Sequence, residues 1–123
     1  MSGIVNLIHI LLIVPFFFYI YYRGINKKDN PIEGWLCNLL IILALTSLAY
    51  HIYKLYNIYY TPEGEKDRWK DWIYLTHIFI ILPLLIYIGY NCNETARKYF
   101  EILLVVSFAA LGYHSYNLIK YGL

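Results

Sequence analysis

Charged residues are scarce in this chain, and they are confined to a few short segments. They make up 15% of the 123 residues, whereas soluble globular proteins carry about 25%. No acidic residue lies deep inside a long apolar run, so hydrolytic metal chemistry, which uses carboxylates, has no support. No dense basic cluster occurs, and a net charge of +2 gives no indication of nucleic-acid binding. The composition therefore does not indicate an enzyme.

Cysteine is also rare, with only Cys37 and Cys92 in the chain. Their separation does not match a metal-binding motif. Both fall near the same predicted membrane face, where a disulfide would need an oxidising compartment. Of the two interpretations, we favour two unpaired thiols that behave as small apolar side chains.

Apolar residues, at 60% of the chain, form four long segments. Runs near twenty residues match the roughly 30 Å hydrocarbon thickness of a bilayer, which a helix must cross. We therefore predict an all-α, multi-pass integral membrane protein: one membrane domain with four transmembrane helices in an up-down-up-down bundle. The expected partner of this domain is the lipid bilayer. Assembly into a homo-oligomer or a larger membrane complex is compatible with the sequence. The predicted helices cover residues 4–22, 33–60, 69–90 and 96–121.

The predicted first helix is repeated in the third. Residues 7–22 and 75–90 are identical at eight of sixteen positions. They share a histidine, a proline six positions later and a tyrosine four positions after the proline. Residues 48–55 and 111–118, in the second and fourth helices, are identical at five of eight positions, including Tyr-His-x-Tyr. Rare residue types in the same register indicate an internal duplication.

The duplication predicts two tandem, pseudo-symmetric helical hairpins, residues 1–62 and 63–123. Because each hairpin crosses the membrane twice, a two-fold axis along the membrane normal should relate the copies. Pro15 and Pro83 each remove a backbone hydrogen bond in mid-helix, so we expect a matched kink in the first and third helices. Five basic residues lie toward each membrane face, so the positive-inside rule leaves the orientation undecided.

Each predicted helix contains one histidine. Two lie early in the first and third helices and two lie late in the second and fourth. Alternating helix directions then place all four at one depth, roughly 10 Å inside one interface at 1.5 Å rise per residue. This predicted layer consists of His9, His51, His77 and His114. A supporting polar face, at helical spacing from two of them, consists of Ser47, Lys54, Ser107 and Asn117.

Three functions compete for this layer. The first is binding of haem b or a transition metal, for electron transfer or metal handling, because neutral imidazole is a common metal ligand. His51 and His114 would hold the haem from its two faces, with small neighbouring residues leaving room. A bare metal ion held by all four histidines is the variant.

The second function is a proton- or ion-conducting channel or carrier that uses the histidines as a relay or gate. Histidine titrates near physiological pH, and ionisable groups inside a membrane are usually functional. In the third, the histidines are interhelical hydrogen-bonding groups in a structural membrane subunit. The cofactor site is our leading hypothesis from the sequence, and the other two stay open.

Overall fold

The structure, a computed structural model, describes residues 3–123. Within that range it contains four helices long and apolar enough to cross a membrane, and it contains no strand. The helices are α1 (Gly3–Ile25), α2 (Gly34–Tyr60), α3 (Pro62–Glu94) and α4 (Arg97–Tyr121). The prediction of an all-α fold with four helices long and apolar enough to span a membrane is thus confirmed. The up-down order of all four helices and the two-fold axis stay predictions.

Three helix boundaries differ from those predicted by three residues or more. Helix α1 continues past residue 22 to Ile25, and α3 begins at Pro62 instead of residue 69 and ends at Glu94 instead of residue 90. The first part of α3, Pro62–Lys70, is a 3-10 helix where we expected a polar loop. Proline at its start has a backbone angle preset for a helix. Glu63 and Glu65 lie in its first turn and Arg68 and Lys70 in its last, which complements the helix dipole.

A π-helical turn interrupts each of the two proline-containing helices at the same place. These turns are His9–Ile13 in α1 and His77–Ile81 in α3, and Pro15 and Pro83 follow two residues after them. In each turn, the carbonyl oxygen of the histidine accepts from the N–H five residues later. A proline ring clashes with the carbonyl four residues before it, and a wider preceding turn relieves this clash. The matched kink expected at Pro15 and Pro83 stays a prediction.

The chain divides into two compact units, which are described separately. The terminal unit, residues 3–32 and 93–123, contains α1 and α4. The central unit, Glu33–Cys92, contains α2 and most of α3. Each unit therefore combines one helix from each of the predicted sequence repeats.

In the terminal unit, α1 and α4 are antiparallel and contact each other at both ends. At one end, a Cβ added to Gly24 would lie 2.3 Å from the ring of Phe100, which is fully buried. At the other end, a Cβ added to Gly3 would lie 2.4 Å from the Cα of Leu123. The helices can approach this closely only because glycine has no side chain. The apolar core of this unit includes Val14, Phe17, Ile20, Phe100 and Leu103.

In the central unit, a disulfide joins the start of α2 to the end of α3. The Cα atoms of Cys37 and Cys92 are 5.7 Å apart, a normal separation for a disulfide. Our expectation of two unpaired thiols is therefore wrong. The physical reason is a close approach of the two helices, because a Cβ added to Gly89 would lie 3.0 Å from the carbonyl oxygen of Cys37. Sequence spacing alone does not reveal such an approach.

Candidate histidine site

The terminal unit brings two of the four predicted site residues into contact. The imidazole rings of His9 on α1 and His114 on α4 stack with centroids 3.9 Å apart and planes inclined by 20°. His114 is buried, with 2% of its surface exposed, and His9 is half-buried. His9 is the first residue of the π-helical turn in α1. The ring stack therefore lies where α1 leaves regular helical geometry.

The central unit contains an equivalent contact. The rings of His51 on α2 and His77 on α3 stack with centroids 4.2 Å apart and planes inclined by 15°. His51 is buried and His77 is half-buried, and His77 opens the π-helical turn of α3. In both units, one histidine thus comes from a π-helical turn and the other from a regular α-helix.

The Nδ1 atom of every imidazole is held by an oxygen acceptor. In three rings this acceptor is the backbone carbonyl oxygen four residues earlier, at 2.6–2.8 Å. A carbonyl oxygen can only accept, so Nδ1 of each neutral ring carries the hydrogen and Nε2 is the basic nitrogen. These three bonds join His9 to Val5, His51 to Ser47 and His77 to Ile73.

His114 differs, because its acceptor belongs to the other helix. Its Nδ1 donates to the side-chain oxygen of Asn6 at 2.8 Å. Asn6 is itself buried, with 2% of its surface exposed. Sequence reasoning did not include Asn6 in the site. The available signal was its position three residues before His9 in an otherwise apolar segment, which puts both on one helix face. In the central unit the buried ring of Tyr74 lies near His51, with centroids 6.1 Å apart.

The repeated Tyr-His-x-Tyr motif also has a structural role in its first two residues. Tyr50 lies edge-on to His51 with centroids 5.3 Å apart. Tyr113 lies edge-on to His114 at 5.0 Å. Edge-to-face contact is a favoured arrangement of aromatic rings. Each buried histidine is thus flanked by its stacked partner and by the preceding tyrosine.

The predicted supporting polar face contributes less to the site than its hydroxyl groups suggested. The buried hydroxyl of Ser107 donates to the carbonyl oxygen of Leu103 at 2.7 Å, within its own helix. Ser47 serves through its backbone carbonyl, which accepts from a histidine. Lys54 and Asn117 are half-buried, three residues beyond the histidine of their helix.

An apolar cavity of about 510 Å³ lies along α2 and α3 in the central unit. At one end it reaches Leu48 and Ile78, which neighbour the stacked histidines in sequence. It continues past Pro83 to Tyr90 near the end of α3. Space therefore exists beside the helix that carries the π-helical turn.

A stacked pair is poorly arranged to chelate one metal ion. The lone pairs of two stacked rings lie in nearly parallel planes about 4 Å apart, whereas ligands of one ion must converge on it. Within residues 3–123, no group of three or more His, Cys, Asp or Glu is placed to hold a metal ion. Haem ligation by His51 and His114 involves one residue of each compact unit and stays a prediction.

Comparison of the chain with known protein families, with curated proteins and with solved structures found no match. The function must therefore be argued from the histidine pairs themselves.

Proposed function

We propose that this protein is a proton-responsive membrane protein, in which the two histidine pairs act as a gate or relay for proton or ion passage. The observation that supports this proposal is the stacking of one imidazole pair between the two helices of each unit, at 3.9 and 4.2 Å. Histidine is the side chain whose charge changes near neutral pH. A change in protonation therefore acts directly on the contact that joins two membrane helices.

The energetics of a stacked pair depend on how many protons it holds. Two neutral rings stack without electrostatic cost, and one protonated ring can face the π system of its neutral partner. A second proton places two positive charges about 4 Å apart. The repulsion is roughly 4 kcal/mol at an effective dielectric constant of about 20. Each pair thus accepts one proton and is driven apart by a second.

Proton or ion passage requires the helices to move. On the far side of the histidines, most buried residues of the terminal unit are apolar, including Val14, Phe17 and Leu103. The buried polar ones there are Ser107, whose hydroxyl donates within its own helix, and Arg23 and Thr95 near the far end. A closed state with a dry half follows from this packing. The π-helical turns that begin at His9 and His77 interrupt regular α-helix, and such turns are frequent at functional sites, so we place the movement there. This favours a gate over a permanently open pore.

A flux assay tests the proposal. The protein is reconstituted in liposomes that contain a pH-sensitive dye, and the outside is acidified stepwise from pH 8 to pH 5. We expect proton entry above that of empty vesicles, increasing as the outside becomes more acidic. Two variants of one histidine separate its properties. His51→Phe keeps a ring for stacking, and His51→Asn keeps a donor for the Ser47 carbonyl. Neither can take up a proton.

Both variants should lose most of the pH-dependent flux, whereas Tyr53→Phe, which removes one hydroxyl from an exposed side chain, should keep it. Flux equal to that of empty vesicles in the unmodified protein would overturn the proposal. If His51→Phe retains the full pH response, stacking and not protonation is the function of the pair. The histidines are then structural contacts between helices.

Binding of haem b or a transition metal is the second candidate, and one observation favours it. Metal-ligating histidines are commonly held by a hydrogen bond from the other ring nitrogen to a carbonyl oxygen, which is the arrangement of His9, His51 and His77. The visible absorption spectrum and the metal content of the purified protein test it. A Soret band that His51→Ala or His114→Ala abolishes supports haem. A colourless preparation without metal rejects the cofactor.

A further inference from the structure

The disulfide of the central unit depends on the compartment around it. Cys37 lies in the first turns of α2, and Cys92 lies where α3 ends, so both belong to one end of the antiparallel helix pair. Disulfides form and persist in oxidising compartments and are rare where glutathione and thioredoxin keep thiols reduced. The presence of this bond therefore carries information on membrane orientation that the sequence lacked.

The charges of the central unit are consistent with that information. Every Lys and Arg of this unit lies toward the end opposite the disulfide, and these residues are Lys54, Lys66, Arg68 and Lys70. Basic residues are enriched on the cytoplasmic side of membrane proteins. For the whole chain the basic residues are five against five, so the charges alone give no orientation and the disulfide carries the argument.

We propose that the disulfide end of the central unit faces an oxidising compartment and that the Pro62–Lys70 segment faces the reducing one. The pair of His51 and His77 then lies nearer the reducing side, because Cys37 and His51 are separated by roughly 21 Å at 1.5 Å rise per residue. A second consequence rests on the proposed function: the protons that act on this pair come from the reducing compartment.

Labelling with a membrane-impermeant maleimide in bacterial spheroplasts tests the orientation. The native cysteines are retained, since a disulfide does not react with maleimide, and one cysteine is added at an exposed position. Asp29→Cys lies in the connection before α2, on the disulfide side, and Glu65→Cys lies in the Pro62–Lys70 segment. We expect Asp29→Cys to be labelled in intact spheroplasts and Glu65→Cys only after lysis. The reverse pattern overturns the proposal.

The unmodified protein provides the second arm. After blocking of free thiols, reduction should expose two cysteines per chain to a maleimide–polyethylene glycol reagent, and omission of the reductant should expose none. In a host strain that cannot oxidise periplasmic thiols, both cysteines should react without reduction. Reactive thiols in the normal host, or a disulfide that persists in the deficient strain, would contradict the proposal that this end faces the oxidising compartment.

The outcome is separable from that of the flux assay, because labelling does not depend on any histidine. If the orientation is as proposed and flux is absent from both sides, only the proposed function fails. If flux in vesicles of known orientation responds only to acid on the disulfide side, the assigned proton source is wrong. The orientation itself is still decided by the labelling.

Discussion

The stacked histidine pairs should take up protons in two distinct steps, and each pair should bind one proton in each step. The centroid distances of 3.9 and 4.2 Å give a repulsion of roughly 4 kcal/mol between two protonated rings at an effective dielectric constant of about 20. Because this repulsion opposes the second proton of each pair, the second step should follow at a lower pH than the first. Four histidines therefore bind two protons in the first step.

Nitrogen NMR of protein with ¹⁵N-labelled histidine, in lipid nanodiscs, can count these protons, because imidazole shifts report the protonation of each ring. The informative variant is His9→Phe, which keeps a ring against His114 but removes one titrating group. The first step should still comprise two protons per chain, and the second should fall to one. Uptake of all four protons of the unmodified protein within a single step would refute the reasoning, since it would mean that the paired rings do not interact.

Two further predictions concern stability. Gly24→Ala should lower the free energy of unfolding by about 1–3 kcal/mol through overpacking, because its Cβ would lie 2.3 Å from the buried ring of Phe100. Gly112→Ala is the matched control, because an added Cβ there would have no atom within 4 Å, and it should raise the free energy of unfolding by up to about 1 kcal/mol. Thermal unfolding in detergent measures both variants. An unchanged Tm for Gly24→Ala contradicts the close approach. Asn6→Ala should lower the free energy of unfolding by about 1–3 kcal/mol because it removes the acceptor of His114. If Asn6→Ala lowers the stability of the His114→Phe variant by the same amount, the lost hydrogen bond is not the cause.

Much of the fold could be predicted because it depends on local properties. Apolar segments of membrane-spanning length predicted the four helices. The positions of the histidines in the repeats predicted one histidine in each helix. Two features depend on tertiary contacts and were beyond sequence pattern. The disulfide required the close approach at Gly89, and the buried Asn6 became part of the site only through its contact with α4.

The histidine site was predicted as a layer of four, and the structure resolves specific pairs. Helix position indicates the depth of a residue but not which helix is its neighbour. His9 meets His114, and His51 meets His77, so each contact joins one copy of the sequence repeat to the other. The proline positions predicted a kink in α1 and α3 but not the π-helical turns, which follow from relief of a carbonyl clash that sequence does not quantify.

The π-helical turns give the histidines a rotational degree of freedom. Such a turn holds about one residue more than the regular helix it replaces, and one residue corresponds to about 100° of rotation at 3.6 residues per turn. If the turn at His9–Ile13 tightened to regular α-helix, everything on its N-terminal side would swivel by that angle about the helix axis. His9 would turn away from His114, and Asn6, on the same face, would turn with it. A change in a few backbone hydrogen bonds would thus break the contact between His9 and His114 by rotating one end of α1.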